Sequence, residues 1–363
     1  MNILICPDKF KFTFSALQIA KIIKQTVEKM GHKAIIAPLA DGGEGFLEVI
    51  LNYIQAKKVF ITSLDPILKP INSYFLWNKD DKRAYLELAL IGSLQLLKLE
   101  QRNPLNTTTI GLGIIINKAI DLGAEEILIG LGGSSTTEMG MGMAEVLGYS
   151  FYDWQKNKLF PIGRNMIKVQ QIISKNKYFP RITAYVDVNN LLYGPQGAAM
   201  VYGQQKGAKP NEVLLLDRGL RNLAQVAEDF LGCKLNSSLG EGAAGGLGAG
   251  IKAFLFGKIL FGAEFVFDIA NLEQKITWAD LIITGEGSFD EQSLRGKVSG
   301  MVIEKAKKFN KKVIVLAGIS KISNTDNFYV IPLFKTKVNI NVAREQTPQR
   351  IEEKLQTFFS EYL

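Results

Sequence analysis

Leu281-Ile282-Ile283-Thr284-Gly285-Glu286-Gly287-Ser288-Phe289-Asp290-Glu291-Gln292-Ser293-Leu294-Arg295-Gly296-Lys297-Val298-Ser299-Gly300 is the stretch on which the fold class turns. It opens as an apolar strand, Leu281 to Ile283, and runs into Gly285-Glu286-Gly287. Asp290, Gln292, Arg295 and Lys297 follow, and then Leu294, Val298, Val302 and Ala306 recur at helical spacing. A strand, a polar glycine turn and a helix is how open α/β sheets build ligand sites at strand carboxyl ends. Acid, amide and cation on one turn suit an anion together with a metal.

The same grammar recurs outward from that stretch. Asn2 to Cys6 reads as a first strand, and Ser15 as the N-cap of a helix to about Met30. Ala34–Pro38 and Val59–Ile61 read as two more strands of a βαβαβ opening, which implies a parallel sheet. Near the end, Val313–Ala317 and Tyr329–Leu333 are further strands, and Thr347-Pro348 is expected to start the last helix. From about residue 65 the pattern changes to two short strands, Asn72–Trp77 and Arg83–Leu88, before α/β alternation resumes. The expectation is an α/β chain: a doubly wound, parallel, Rossmann-like domain (1–64 plus 275–363) interrupted by an inserted α/β domain with a mixed sheet (65–274).

Composition narrows the chemistry. The chain has 363 residues and a net charge of +8, with its lysines scattered, and no nucleic-acid motif occurs. No nucleic-acid partner is expected. No charge-free apolar stretch reaches the ~18 residues of a membrane helix, and no signal peptide is read at the start, so a cytoplasmic location without a membrane partner is expected. Two cysteines offer no disulfide framework, and Cys6 reads as a buried small hydrophobe. His32 is the single histidine and sits in a turn, so a general base would be a carboxylate or a lysine.

Polar glycine clusters fall at the expected strand ends. Asp8-Lys9-Phe10-Lys11 follows the first strand, and no glycine occurs before Gly31, which argues against dinucleotide binding there. Asp41-Gly42-Gly43-Glu44-Gly45 ends the second strand. Gly132-Gly133-Ser134-Ser135-Thr136-Thr137-Glu138 precedes a helix. It suits a phosphate, although Ser135 and Glu138 also fit a ligand-free capping box. Asp187-Val188-Asn189-Asn190 ends another strand, with Gln205-Lys206-Gly207 beyond it. Gly248 and Gly250, in the glycine-rich run after Gly240, read as close-packing positions. Neither a Walker A sequence nor the protein-kinase motif set is present.

In this order the clusters resemble the type I family of bacterial glycerate kinases over nearly the whole chain. The resemblance rests on Ala40-Asp41-Gly42-Gly43-Glu44-Gly45, the 132–140 turn, and the segments 194–198, 205–208, 242–250 and 284–297. Departures from the family pattern include Lys9 for serine, Phe12 for glycine, Glu138 for aspartate, Ser288 for arginine and Ser299 for proline. The resemblance implies ATP- and Mg²⁺-dependent phosphorylation of D-glycerate, at the 2-hydroxyl, in a cleft between the two domains. The small-molecule partners would be ATP and D-glycerate, in a monomer or homodimer.

The candidate catalytic residues are Asp8, Lys11, Asp41, Asp187, Asp290 and Lys297. Lys11 and Lys297 would neutralise phosphate or substrate carboxylate. Asp41, Asp187 and Asp290 would divide metal binding and hydroxyl activation, with Asp187 and Asp290 as the metal ligands. Candidate substrate and nucleotide contacts are Gly42, Gly43, Glu44, Gly132, Gly133, Ser134, Ser135, Asn190, Lys206, Glu286 and Gln292. Phosphoryl transfer asks mainly for positioning and charge neutralisation, which these residues supply without histidine. A rival expectation is a sugar-acid sensor that keeps the fold without transfer, through its altered first loop.

Overall fold

The computed structural model describes residues 1–175, 178–294 and 296–362, so Arg295 of the opening stretch lies outside the described residues. The strands are β1 (Asn2–Ile5), β2 (Lys33–Ile36), β3 (Lys57–Leu64), β4 (Pro70–Asn78), β5 (Arg83–Glu87), β6 (Glu126–Gly130) and β7 (Tyr149–Tyr152). They continue with β8 (Gln171–Ser174), β9 (Arg181–Val186), β10 (Lys258–Phe261), β11 (Leu281–Phe289), β12 (Lys312–Ser320) and β13 (Phe328–Pro332). The chain divides into two compact units. The first is Met1–Asp41, Glu48–Ile54 and the chain from Ala263 onward; the second is Gly42–Leu47 and Gln55–Gly262.

The first unit holds a wholly parallel sheet in the order β13-β12-β11-β1-β2. Counted within the unit from the other edge, this is the 2-1-3-4-5 order of a doubly wound sheet, with its topological switch between β1 and β11. The apolar runs explain the burial. Ile3, Ile5, Ile283, Ile314 and Leu316 enter one core with Ile19, Ile23 and Val27 of helix Ala16–Lys29 and Ile351, Leu355 and Phe358 of helix Ile340–Tyr362. Helices Leu272–Trp278 and Val298–Lys308 pack on β1, β11 and β12 outside that core, so both faces are covered. Ser15 caps the first helix as expected. Its hydroxyl accepts from Gln18 N–H and the Gln18 side chain accepts from Ser15 N–H, an arrangement worth about 1 kcal/mol.

Three expectations need correction. Val59–Ile61 does not extend the first sheet: β3 pairs antiparallel with β4 in the second unit. Its burial alternates from Lys58 to Ser63, as on a half-exposed edge strand. The polar stretch Gly285-Glu286-Gly287 is not a turn; β11 runs through it to Phe289 and stays paired with β12. The last helix starts at Ile340 and contains Pro348 internally.

The second unit carries a six-stranded mixed sheet, β10-β9-β6-β5-β4-β3, parallel from β10 to β5 and antiparallel from β5 to β3. Ile127, Ile129, Ala184 and Val186 meet Leu216, Leu220 and Leu223 of helix Pro210–Leu231 and Phe254 of helix Ala243–Leu255 in its core. β7 and β8 form a separate antiparallel pair. Gly248 and Gly250 do serve close packing: a Cβ on either would overlap the carbonyl oxygens of Gly240 and Met139 respectively.

Candidate active site

In the first unit, polar groups gather where β1, β2 and β11 end. Asp8 follows β1 directly, and its N–H donates to Gly285 O at 2.9 Å, so the loop is tied to the switch point. Asp41 follows β2. Lys9 stands between the two acids: its Nζ lies 3.2 Å from Asp41 Oδ1 and 3.6 Å from Asp8 Oδ1. Lys9 N–H also donates to Asp8 Oδ1 at 2.7 Å. Burial pushes the Asp8 carboxyl up to about 7; Lys9 opposes that rise, and the charges of Asp41 and Glu286 add to it.

Glu286 is buried on β11. Its Oε2 accepts from Ser293 Oγ at 3.0 Å. Burial raises this carboxyl above the usual range, against the hydroxyls of Ser299 and Ser293 and the charge of Lys297. Lys297 is the residue before helix Val298–Lys308. Asp290 turns inward on its own chain, its Oδ1 accepting from Gln292 N–H at 3.0 Å and Ser293 N–H at 3.3 Å. The Gln292 side chain is exposed. Lys11 is exposed, 5.5 Å from the Phe12 ring centroid, and its backbone passes over Gly287. The first unit thus brings together Asp8, Asp41 and Glu286, with Lys297 and Asp290 around Glu286.

In the second unit, the turn from Gly42 meets the loop after β6. Gly42, at φ +92°, has room for no side chain, because a Cβ would sit 2.9 Å from Tyr185 O. A Cβ on Gly132 would overlap Gly43 Cα. Glu87, at the end of β5, accepts from Gly45 N–H at 2.9 Å and Leu47 N–H at 3.0 Å, fixing this turn. The Glu44 carboxylate accepts from Gln95 Nε2 at 2.9 Å. Gly133 adopts φ +75°. Ser135 donates both its N–H and its hydroxyl to Gly92 O, and Ser134 Oγ accepts from Thr136 N–H at 3.1 Å.

Glu138 closes that loop. The capping box read from Ser135 does not form; the helix begins after Gly140, and the Glu138 carboxylate itself accepts from Gly140 N–H (3.0 Å), Gly142 N–H (2.6 Å) and Thr109 Oγ1 (2.9 Å). Burial pushes its carboxyl up to about 7 against those three bonds. Lys206 is buried beside the same loop and donates to Thr136 O at 2.6 Å; burial lowers its ammonium to about 7, and the Glu138 charge opposes this. Asp187 is exposed just past β9. Asn190 accepts from Tyr202 OH at 3.0 Å and donates to Gln196 O at 3.0 Å.

Comparison with known proteins decides what such an arrangement belongs to. The glycerate kinase family profile matches residues 3–362. The chain belongs to the glycerate kinase family. Family membership makes it an enzyme of the kinase class. It is 36% identical to a glycerate kinase of Bacillus cereus over 325 residues, 88% of this chain and 85% of that one. It is 36% identical to the glycerate 2-kinase of Escherichia coli over 338 residues, 91% of this chain and 87% of that one. A Salmonella typhimurium crystal structure assigned as a glycerate kinase 2 superposes with a TM-score of 0.83 at 32% identity, covering 100% of both chains.

For a kinase of this family the donor set matters. Among the described residues no group of three or more histidine, cysteine, aspartate or glutamate side chains is placed to hold a metal ion. A preformed all-protein cage is therefore not built from them. Mg²⁺ ordinarily needs only one or two carboxylates plus substrate phosphates, and single acids such as Asp187 and Asp290 fit that mode. No helix among the described residues is long and apolar enough to cross a membrane. Two site residues escape a reading of the sequence. Glu87 ends an ordinary strand, and nothing in its neighbours signals that it caps a turn 42 residues away. Lys9 stands out only as a cation between two acids, Asp8 and Asp41, distant in the chain.

Proposed function

We propose that this chain transfers the γ-phosphoryl group of ATP to D-glycerate at its 2-hydroxyl, giving 2-phosphoglycerate. The observation that carries the reading is Asp8: a carboxylate at the switch point of a doubly wound sheet, raised to about 7. Such a group takes a proton near neutrality, as a base for a substrate hydroxyl must. Asp8 accepts the hydroxyl proton while Lys11 and Lys297 neutralise the substrate carboxylate and the phosphates. Gly132, Gly133 and Ser134 offer a small, close-packed loop to the nucleotide phosphates. Mg²⁺, when bound through Asp187 or Asp290, supplies further charge neutralisation on the phosphates. That the Escherichia coli relative is a glycerate 2-kinase supports the choice of hydroxyl. A cytoplasmic location accompanies an intracellular triphosphate as donor.

The test is direct. Purified protein is incubated with ATP, Mg²⁺ and D-glycerate; ADP release is followed and the product is read by phosphorus NMR, which separates 2- from 3-phosphoglycerate. The expected result is ADP release that EDTA stops and added Mg²⁺ restores. Product at the 3-position would overturn the choice of hydroxyl, and absence of ADP release would overturn the reading.

A further inference from the structure

We infer that Lys9 acts as an internal cation of the site: its ammonium ties the Asp8 and Asp41 carboxylates together beyond β1 and β2 and so positions Asp8 as the base. This deepens the glycerate kinase reading and rests on it for the role of Asp8.

The geometry is specific. Two carboxylates on neighbouring strand ends repel, and the ammonium lies within ion-pair reach of both, 3.2 Å from Asp41 Oδ1 and 3.6 Å from Asp8 Oδ1. Only 17% of the Lys9 side chain is exposed, with 13% and 14% for the acids, so solvent screens the triad poorly. Both the Lys9 N–H and its ammonium approach the same oxygen, Asp8 Oδ1. Among the described residues Asp8 Oδ2 accepts no hydrogen bond, which leaves that oxygen to receive a substrate proton. Lysine suits the task because a compact ammonium on a flexible stem can serve two acids at once.

Among the described residues, the charged groups that face Asp8 are Lys9 on its own loop, Asp41 on the loop after β2, and Glu286 on β11. Among these, Lys9 favours the ionised form, against burial and the two acids. Removing its charge therefore makes Asp8 harder to ionise. An opposite charge at this range moves a carboxyl by roughly one to three units.

The experiment compares the full-length wild type with Lys9→Met and Lys9→Arg, each checked for fold by circular dichroism. The first readout is the pH profile of kcat/KM for D-glycerate. Its acidic limb should move up by roughly one unit in Lys9→Met, kcat should fall more than KM changes, and Lys9→Arg should restore the wild-type limb. The second is a carbon-13 carboxyl titration of Asp8, assigned with Asp8→Asn, whose midpoint should rise in Lys9→Met. The titration needs no turnover, so it decides on Lys9 even where the wild type fails to phosphorylate D-glycerate, a failure that would fall on the functional reading. An unchanged Asp8 midpoint in folded Lys9→Met would overturn the inference. So would an unchanged acidic limb beside an active wild type. Should Lys9→Met fail to fold, Lys9→Gln takes its place with the same two readouts.

Discussion

Gly132 and Gly43 meet backbone against backbone: there is no space between them for even one methyl group. The turn that follows β2 and the loop that follows β6 are held in place by this contact, together with the packing of Gly42 on Tyr185, where an added Cβ would sit 2.9 Å from the Tyr185 carbonyl oxygen.

Gly132→Ala should therefore force the two segments apart. Because the obstruction is backbone and cannot rotate away, the cost should be about 1–3 kcal/mol of stability, the range for overpacking. A urea titration checks this, and turnover should fall with the displaced loop. A variant as stable as wild type would mean the contact can relax.

Asp8→Asn keeps the shape of the side chain and removes its capacity to take a proton. Turnover should drop by roughly 10²–10⁴-fold. With Asp8 as the proposed base, its protonation in the wild type should make kcat/KM fall as pH drops below about 7. A profile flat from pH 5 to 8 would assign the base elsewhere.

Lys297→Ala should cut turnover by at least ~10²-fold, the scale of losing one donor aimed at developing charge. Near-normal turnover in a folded variant would remove that role from Lys297.

Stability should respond to pH in opposite senses on the two sides of neutrality. Asp8 and Glu138, raised to about 7 from 3.8 and 4.5, keep protons in the folded state that the unfolded chain has lost; their contribution falls as pH rises through that window. Lys206, lowered to about 7 from 10.5, is the reverse: above pH 7 the unfolded chain binds the proton and the folded one does not, so stability rises toward 10.5. Urea midpoints at pH 7 and 9 should show that rise in the wild type and a smaller one in Lys206→Met. An equal rise in both would contradict it.

Phe12 adopts φ 70° and is half exposed, a backbone state that suits glycine. Phe12→Gly should leave the fold intact and raise stability by about 1 kcal/mol, the left-handed penalty being relieved. Ala244, at φ 53° and ψ 37°, invites the same substitution. A loss of stability in both would show that other contacts outweigh the backbone strain.

Much of the architecture is legible in the chain because it rests on local patterns. The apolar runs at Ile3, Ile283 and Val315 are buried on both faces, and continuous runs of that kind belong to covered parallel strands. Ser15 shows its cap within four residues. What stays hidden depends on partners far away in sequence. Val59 looks like any short strand residue, and its sheet is chosen by pairing with Phe75. Gly285 reads as a turn glycine, yet β11 needs it because Leu316 O comes too close for a side chain. Glu138 reads as half of a capping box, and its role becomes visible only when Gly142 and Thr109 donate to it. The gathering of Asp8, Asp41 and Glu286 follows from strand order, which composition does not encode.

The pairing of Ile3 with Leu281 has a consequence for how the chain comes off the ribosome. β1 and β2 are made first, but the neighbour that β1 needs is synthesised 278 residues later. By then Gln55–Gly262 has already been synthesised with every strand of its own sheet. The middle of the chain is thus able to fold while the amino-terminal strands wait as an unfinished edge, and long-range parallel closure of this kind is intrinsically slow. Completion of the first sheet, and with it the assembly of Asp8 against Glu286, becomes a late event in the biogenesis of this kinase.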